Sequence, residues 1–412
     1  MEVSVKQTIL FFLLIIGAVS LINAEVIYTK RKNNDVREGP GSYYSLIITL
    51  PENTQLIVLE RTSSWVKIQL SNSKVGWLAA NSFVKKPLNK NVIRLENVWS
   101  SPKASKAGIA AAIKGFGEKY GKTNAGNIDT VLAYSEKGFT SSDLVSFNSE
   151  VLRSKSKNRN RLHLNDLDLE VPDYDMSLQE KEIGAGIAAR IVSQGLIGNR
   201  DYLRYVNLIC AAITENSSIY DEDFTVFILQ SDKINAFAVP GGYIFITKGM
   251  IRQCRDESEL AGVIAHEIAH IVRRHGLQEI SQREVNMAAD KAFDELDEEV
   301  GKTQTEIELE GMIDSSYNKV IHPRLINYEF EADKVGTVLS ANAGYDPFGL
   351  VRISERIARI PKEQLDIFDA NFMAPNDAID RYNAILKFAN KQFETSNPGA
   401  TMPERFKQYR IQ

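Results

Sequence analysis

The chain has 412 residues, 25% of them charged and 43% apolar, which are the proportions of a globular protein and set aside disordered and fibrous classes. That length accommodates two or three domains and a sizeable core. The net charge of −4 hides an asymmetry: residues 25–170 hold 22 Lys and Arg against 14 Asp and Glu, whereas residues 171–412 hold 26 against 38. Two units with different surfaces follow. The basic one suits an anionic partner such as cell-wall polymer or lipid headgroups, or is a plain solvated face.

The N-terminus reads MEVSVKQTILFFLLIIGAVSLINAEV. Lys6 precedes an apolar run over residues 9–21, broken only by Gly17 and Ser20, and small residues follow. This is the layout of a secretory signal with cleavage after Ala24. The run is short for a membrane span, which needs about 20 residues, so retention as an N-terminal anchor is the alternative. No cysteine sits at the cleavage point, and nothing later is long and apolar enough to cross a bilayer. The expectation is an exported protein, periplasmic or extracellular. Cys210 and Cys254 either pair, as export permits, or are two separate buried thiols.

Residues 25–88 contain EVIYTK, YSLIITL, TQLIVLE, WVKIQL and VGWLAANSFV, separated by turn residues such as Gly39-Pro40-Gly41 and Pro51-Glu52-Asn53. Short, evenly spaced strands predict a small all-β barrel. The order VREGPGSYYSLIITLPENTQLIVLE, then Trp65 in SSWVKIQL, then Gly76-Trp77 in KVGWLAANSFV, resembles a bacterial Src-homology-3-like domain. The resemblance implies a ligand in cell-wall peptide or another protein, or a spacer role. Trp65 and Trp77 are either a recognition surface or core packing.

Residues 89–170 read as a helical or linker region. SKAGIAAAIKGFGEKYG and SSDLVSFNSEVL have amphipathic helical spacing, and RSKSKNRNR at 153–161 is an exposed basic loop. No aromatic residues interleave with those basic ones, so no nucleic-acid partner is expected. The next domain is expected over 171–412, as α+β: mostly helices around a small β-sheet. EKEIGAGIAARIVSQGL and YLRYVNLICAAITEN read as helices, FTVFILQ as a strand, and NAFAVPGGYIFIT as two strands about a Pro-Gly-Gly turn.

ESELAGVIAHEIAHIVRRHG is a helix, with Asp256 and Glu259 at capping-box spacing and Leu260, Val263, Ile264, Ile268 and Ile271 on one core-facing side. His266 and His270 are four residues apart, so their imidazoles share a face and can meet one metal ion. Zinc favours such nitrogen ligands and in catalytic sites leaves a position for water. Glu267 is about 100° round the helix, placed to serve as general base to that water.

A catalytic zinc needs a third protein ligand. The remaining histidines are His163, His275 and His322; His275 falls off the ligand face near the helix end, so it reads as a C-terminal cap or surface residue, and carboxylates offer a better candidate. In YEFEADKV, Glu329 and Asp333 stand at i and i+4, while Glu331 points elsewhere. Glu329 can ligate the metal while Asp333 orients a liganding histidine.

Together, HEIAH, EFEAD and NAFAVPGGYIFITKGMI resemble the HtpX-like and BepA-like zinc metallopeptidases, from about residue 177 to the C-terminus. That resemblance implies Glu329 as the third ligand and one zinc per chain. It also implies a cleft bordered by Asn235, Ala236, Phe237 and Ala238, where an extended peptide pairs with a strand. Relatives often carry His-Pro and then Arg near the C-terminus; here the stretch reads SNPGATMPERFKQY. Asn397 stands where the histidine is often found and suits an oxyanion better than zinc. Arg405 matches the family's arginine, as an oxyanion-stabilising or clamping residue of the site. The acidic residues 290–314 are expected to be a lid or an insertion.

The expected function is an exported zinc endopeptidase acting on protein or peptide substrates in envelope quality control. The alternatives are a chaperone or scaffold that retains the peptidase fold, and a cell-wall peptide hydrolase.

Overall fold

The computed structural model describes residues 25–70, 74–94, 128–135, 137–153, 162–167, 169, 176, 178–193, 195–276, 326–360, 375–393, 399–409 and 411. The signal-like segment, the expected helix at 105–121, most of the basic run at 153–161, the acidic stretch at 290–314, His322 and Asn397 lie outside these residues. Among the described residues no helix is long and apolar enough to cross a membrane. The chain divides into two compact units, residues 1–111 and residues 112–412.

The first unit is built from β1 (Glu25–Thr29), β2 (Asn34–Arg37), β3 (Leu46–Leu50), β4 (Thr54–Arg61), β5 (Trp65–Gln69), β6 (Val75–Ala79), β7 (Phe83–Val84) and β8 (Ile93–Arg94). Alternation decides which side is buried: Val66 and Ile68 face inward while Lys67 and Gln69 are half-exposed. The inward side chains, among them Ile27, Val36, Ile48, Leu56, Ile68 and Leu78, form one core. The pairing runs β3-β2-β6-β5-β4-β1-β7, antiparallel throughout, with β8 added parallel to β4. Among the described residues no pairing joins the two ends of this path, so the sheet is open rather than the closed barrel expected. Trp65 is buried, 3% exposed, and belongs to the packing; Trp77 is half-buried beside the Lys67 ammonium, 5.8 Å from its ring.

The second unit contains helices α1 (Ile128–Ser135), α2 (Ser141–Arg153), α3 (Leu178–Val192) and α4 (Arg200–Glu215). The strands β9 (Thr225–Leu229), β10 (Ala236–Val239) and β11 (Tyr243–Thr247) follow, and then α5 (Lys248–Gln253) and α6 (Glu257–Val272). After these come α7 (Ile326–Asn342), α8 (Phe348–Ala358), α9 (Pro375–Gln392) and α10 (Pro403–Gln408). α1 packs on α3 and α2 on α4, and Val131 joins the core formed by Ala185, Ile187, Phe227 and Phe245. These two helices, from the stretch read as a helical or linker region, therefore fold with the second unit.

The three-stranded sheet has the order β10-β11-β9, with β10 antiparallel and β9 parallel to β11. Gly241 (φ 82°) and Gly242 (φ 89°) make the β10–β11 turn in a conformation that side chains with a Cβ resist. β10 is an edge strand and packs against α6.

α6 is the axis of this unit. At its start Asp256 accepts a hydrogen bond from the Glu259 amide at 3.1 Å, and Glu259 accepts one from the Arg255 amide at 2.8 Å. The first bond satisfies an amide left over by the first turn, and the second ties the residue before the cap to that turn. Glu259 is also held by the Arg356 fork of α8, with contacts of 2.8 and 2.9 Å. The apolar positions predict burial on one side, yet every residue of α6 is buried. The difference arises because α4, α7, α8, α10 and two strands all pack on it. Gly336 of α7 lets the helices touch: a Cβ there would lie 2.7 Å from the His266 nitrogen.

Candidate metal centre

The close crossing at Gly336 puts the first two turns of α7 over the histidine face of α6. Nε2 of His266 and Nε2 of His270 lie 3.0 Å apart. Glu329 reaches both, Oε2 at 3.4 Å from the first and Oε1 at 3.3 Å from the second. Ligand atoms from these three residues all lie within 4.8 Å of one another, a group able to hold one metal ion. Nδ1 of His266 lies 3.0 Å from Oδ1 of Asp333, a close polar contact rather than an aligned hydrogen bond.

Two further residues shape the cluster: Arg381, which the sequence reading did not mark, and His275, which it set aside as a C-terminal cap or surface residue. Arg381 of α9 donates to Asp333 from Nε at 2.9 Å and from Nη2 at 2.7 Å, and its Nη1 lies 2.7 Å from Glu329 Oε2. His275 is fully buried rather than at the surface as expected. Its Nδ1 faces Nδ1 of His270 at 2.9 Å, and its Nε2 faces Glu331 Oε2 at 3.0 Å. Glu331 also pairs with Arg273, and the Tyr328 ring stacks on His275 at 4.4 Å and 13°.

The charges are mutually consistent. Burial pushes the His266 imidazole down, but Asp333 and Glu329 outweigh it and raise it to about 9. Burial pushes the Glu329 carboxyl up, and Arg381 with the two histidines overrides this and holds it well below the usual carboxylate range. Asp333 follows the same pattern, lowered by Arg381 and His266 against its burial. Burial alone would favour loss of the Arg381 proton, but Asp333, Glu329 and Glu267 keep it firmly charged. Glu267 itself is buried one residue beyond His266, close enough to act on that guanidinium.

Of the residues singled out in the sequence, His266, His270, Glu329 and Asp333 come together, with Glu267 beside them. Asn235 is buried and tied to Thr247, its amide donating to Oγ1 at 3.0 Å and its carbonyl accepting from the Thr247 amide at 3.0 Å. Ala236 and Ala238 are buried in β10, and Phe237 is half-buried against Phe245, 5.4 Å between ring centres.

Arg405 does not join the cluster. Its Nε donates to Glu257 Oε2 at 2.7 Å, Nη2 also contacts Glu257, and its guanidinium lies 3.7 Å from the centre of the Phe147 ring. Tyr205 and Tyr345 donate to the same carboxylate, each at 2.8 Å. Glu257 opens α6 nine residues before His266, so about 13.5 Å of helix separates Arg405's partner from the histidines. A site-clamping or oxyanion role is replaced by a buried ion pair at the far end of the helix. Cys210 and Cys254 are both buried and free, and burial raises both thiols, Cys210 to about 12.

Comparisons with known proteins address the family. Residues 203–405 match Peptidase family M48, and residues 33–85 match the bacterial SH3 domain. The chain is 30% identical over 173 residues to a putative beta-barrel assembly-enhancing protease of Vibrio cholerae serotype O1, covering 40% of this chain and 35% of that protein. It is 30% identical over 156 residues to the mitochondrial metalloendopeptidase OMA1 of Schizosaccharomyces pombe, covering 37% and 43%. A beta-barrel assembly-enhancing protease of Escherichia coli is 27% identical over 168 residues, covering 40% and 34%. The chain thus spans less than half the length of these curated relatives. With HEIAH and EFEAD inside the matched stretch, the chain carries a Peptidase family M48 domain preceded by a bacterial SH3 domain.

Proposed function

We propose that this protein is an exported zinc endopeptidase acting in the quality control of envelope proteins. The observation that carries the reading is the convergence of His266 Nε2, His270 Nε2 and the Glu329 carboxylate beside a buried Glu267. The spacing supports zinc. A tetrahedral ion with bonds of about 2.0–2.1 Å keeps its ligand atoms about 3.3 Å apart. Here the three separations are 3.0, 3.3 and 3.4 Å. The donor set, two imidazoles and one carboxylate, is one that catalytic zinc takes.

Zinc, when bound there, supplies Lewis-acid polarisation of a peptide carbonyl and lowers the pKa of water. The chain's own residues supply the rest. The Glu267 carboxylate takes the proton of the attacking water and delivers it to the departing amine. Asp333 fixes the His266 ring through Nδ1 and leaves Nε2 for the metal. Arg381 holds Asp333 and Glu329 in place and balances the buried carboxylates of Asp333 and Glu267 together with the half-buried Glu329. β10, an edge strand packed on α6, is the proposed seat of an extended substrate, with residues 235–238 alongside.

Export rests on the signal-like N-terminus, and the envelope role on relatives named as beta-barrel assembly-enhancing proteases. The bacterial SH3 domain is the proposed recruiter of a cell-wall or protein ligand. A two-substrate assay separates the readings. Cleavage of an unfolded protein such as casein, with no action on peptidoglycan, supports the endopeptidase. Release of peptides from peptidoglycan alone would favour the cell-wall hydrolase, and action on neither, with aggregation of an unfolded protein suppressed, would favour the chaperone.

A further inference from the structure

The two histidines of the cluster are backed differently. His266 meets a carboxylate directly, Nδ1 to Asp333. His270 instead meets a third imidazole: Nδ1 of His275 at 2.9 Å. Resting on the metal-centre reading above, we propose that His275 is a positioning residue for His270, the middle of a one-way hydrogen-bond chain ending on Glu331.

The direction of the chain follows from where protons can sit. To offer a lone pair to a cation, His270 must be bare at Nε2, and a neutral ring then carries its proton on Nδ1. That proton points at His275 Nδ1, which must therefore be the acceptor. The neutral His275 ring then has its proton on Nε2, which faces Glu331 Oε2 at 3.0 Å. Glu331 accepts there and is held by Arg273 from its other oxygen. Each hydrogen between rings and carboxylate thus has one place, and the sequence His270 to His275 to Glu331 is determined once His270 binds metal through Nε2.

The surroundings fix the ring that does this. His275 is fully buried, and the Tyr328 ring lies parallel to it at 4.4 Å. A helix cap or a packing residue would need no such alignment of both ring nitrogens. His275 is not itself placed to bind the ion, because it faces the Nδ1 side of His270, away from Nε2. Outer partners of this kind set ring orientation and raise ligand basicity, and their loss costs about 10–100-fold in metal affinity.

Two measurements on the purified chain test this. The first is zinc affinity by competition with a chromophoric chelator, for wild type and His275→Phe, which keeps an aromatic ring against Tyr328 and removes both nitrogens. We expect zinc to bind about 10–100-fold more weakly to the variant. The second is the nitrogen-15 spectrum of the imidazoles in zinc-loaded wild type, where His270 should be protonated at Nδ1 and His275 at Nε2. The spectrum needs no variant, so it decides alone if His275→Phe does not fold. Unchanged zinc affinity in a folded His275→Phe, or a His275 proton on Nδ1, would overturn the inference while leaving the metal centre intact. A wild-type chain that takes up no zinc would overturn the metal centre itself.

Discussion

Arg381 grips both oxygens of Asp333, Nε to Oδ2 at 2.9 Å and Nη2 to Oδ1 at 2.7 Å, from a position 48 residues further along the chain. Its remaining nitrogen lies 2.7 Å from Glu329. One buried cation therefore serves a proposed metal ligand and the carboxylate behind His266. Removing it in Arg381→Ala strands the buried Asp333 and the half-buried Glu329, a loss of about 3–5 kcal/mol. Arg381→Lys keeps the charge but not the fork, so its loss should be smaller. Urea unfolding in chelator measures both, and an Ala variant as stable as wild type would contradict the assignment.

Gly336→Ala should separate α6 from α7. The added Cβ would meet the His266 nitrogen at 2.7 Å and its Cα at 2.8 Å, backbone atoms that cannot swing aside. Overpacking of this kind costs about 1–3 kcal/mol. Because the contact is at His266 itself, zinc affinity should fall together with stability. A variant that loses stability but binds zinc as wild type would show that the crossing does not set the ligand geometry.

The raised His266 value predicts a pH dependence in chelator. A histidine at 6.5 when unfolded and about 9 when folded binds more protons in the folded state between those limits. Its contribution to stability is full below about pH 6.5 and is lost as pH rises through about 9. The melting temperature of the chelated protein should fall across that window. Saturating zinc, which competes for the same nitrogen, should flatten the fall. A melting temperature that rises from pH 6.5 to 9 in chelator would contradict the sign.

Arg405→Ala tests the reassignment of that residue. It leaves the fully buried Glu257 with two tyrosine hydroxyls and no cation, so stability should drop by about 3–5 kcal/mol. Turnover per folded molecule should stay within about twofold, since groups more than about 10 Å apart act nearly independently. A collapse of kcat at full stability would return Arg405 to the reaction.

What the sequence disclosed was what local pattern encodes. Four-residue spacing paired His266 with His270 and Glu329 with Asp333, and alternation located most strands of the first unit. β2 was invisible because NDVR has one apolar residue and draws its strand character from β3 and β6 on either side. His275 looked peripheral because its importance lies in partners on α7, 56 residues away. Arg381 gave no local signal at all. Its only trace in the sequence is indirect: Glu267, Glu329 and Asp333 brought together in a buried site require a cation. Arg405 was drawn to the site by the family resemblance, whereas its carboxylate sits at the opposite end of α6.

The most direct test of the central claim is a paired measurement on purified wild type and Glu267→Gln: zinc per chain and cleavage of casein. The account predicts about one zinc in each protein, since Glu267 is not a ligand, and cleavage by the wild type alone. Absence of zinc from both, or equal cleavage by both, would contradict it.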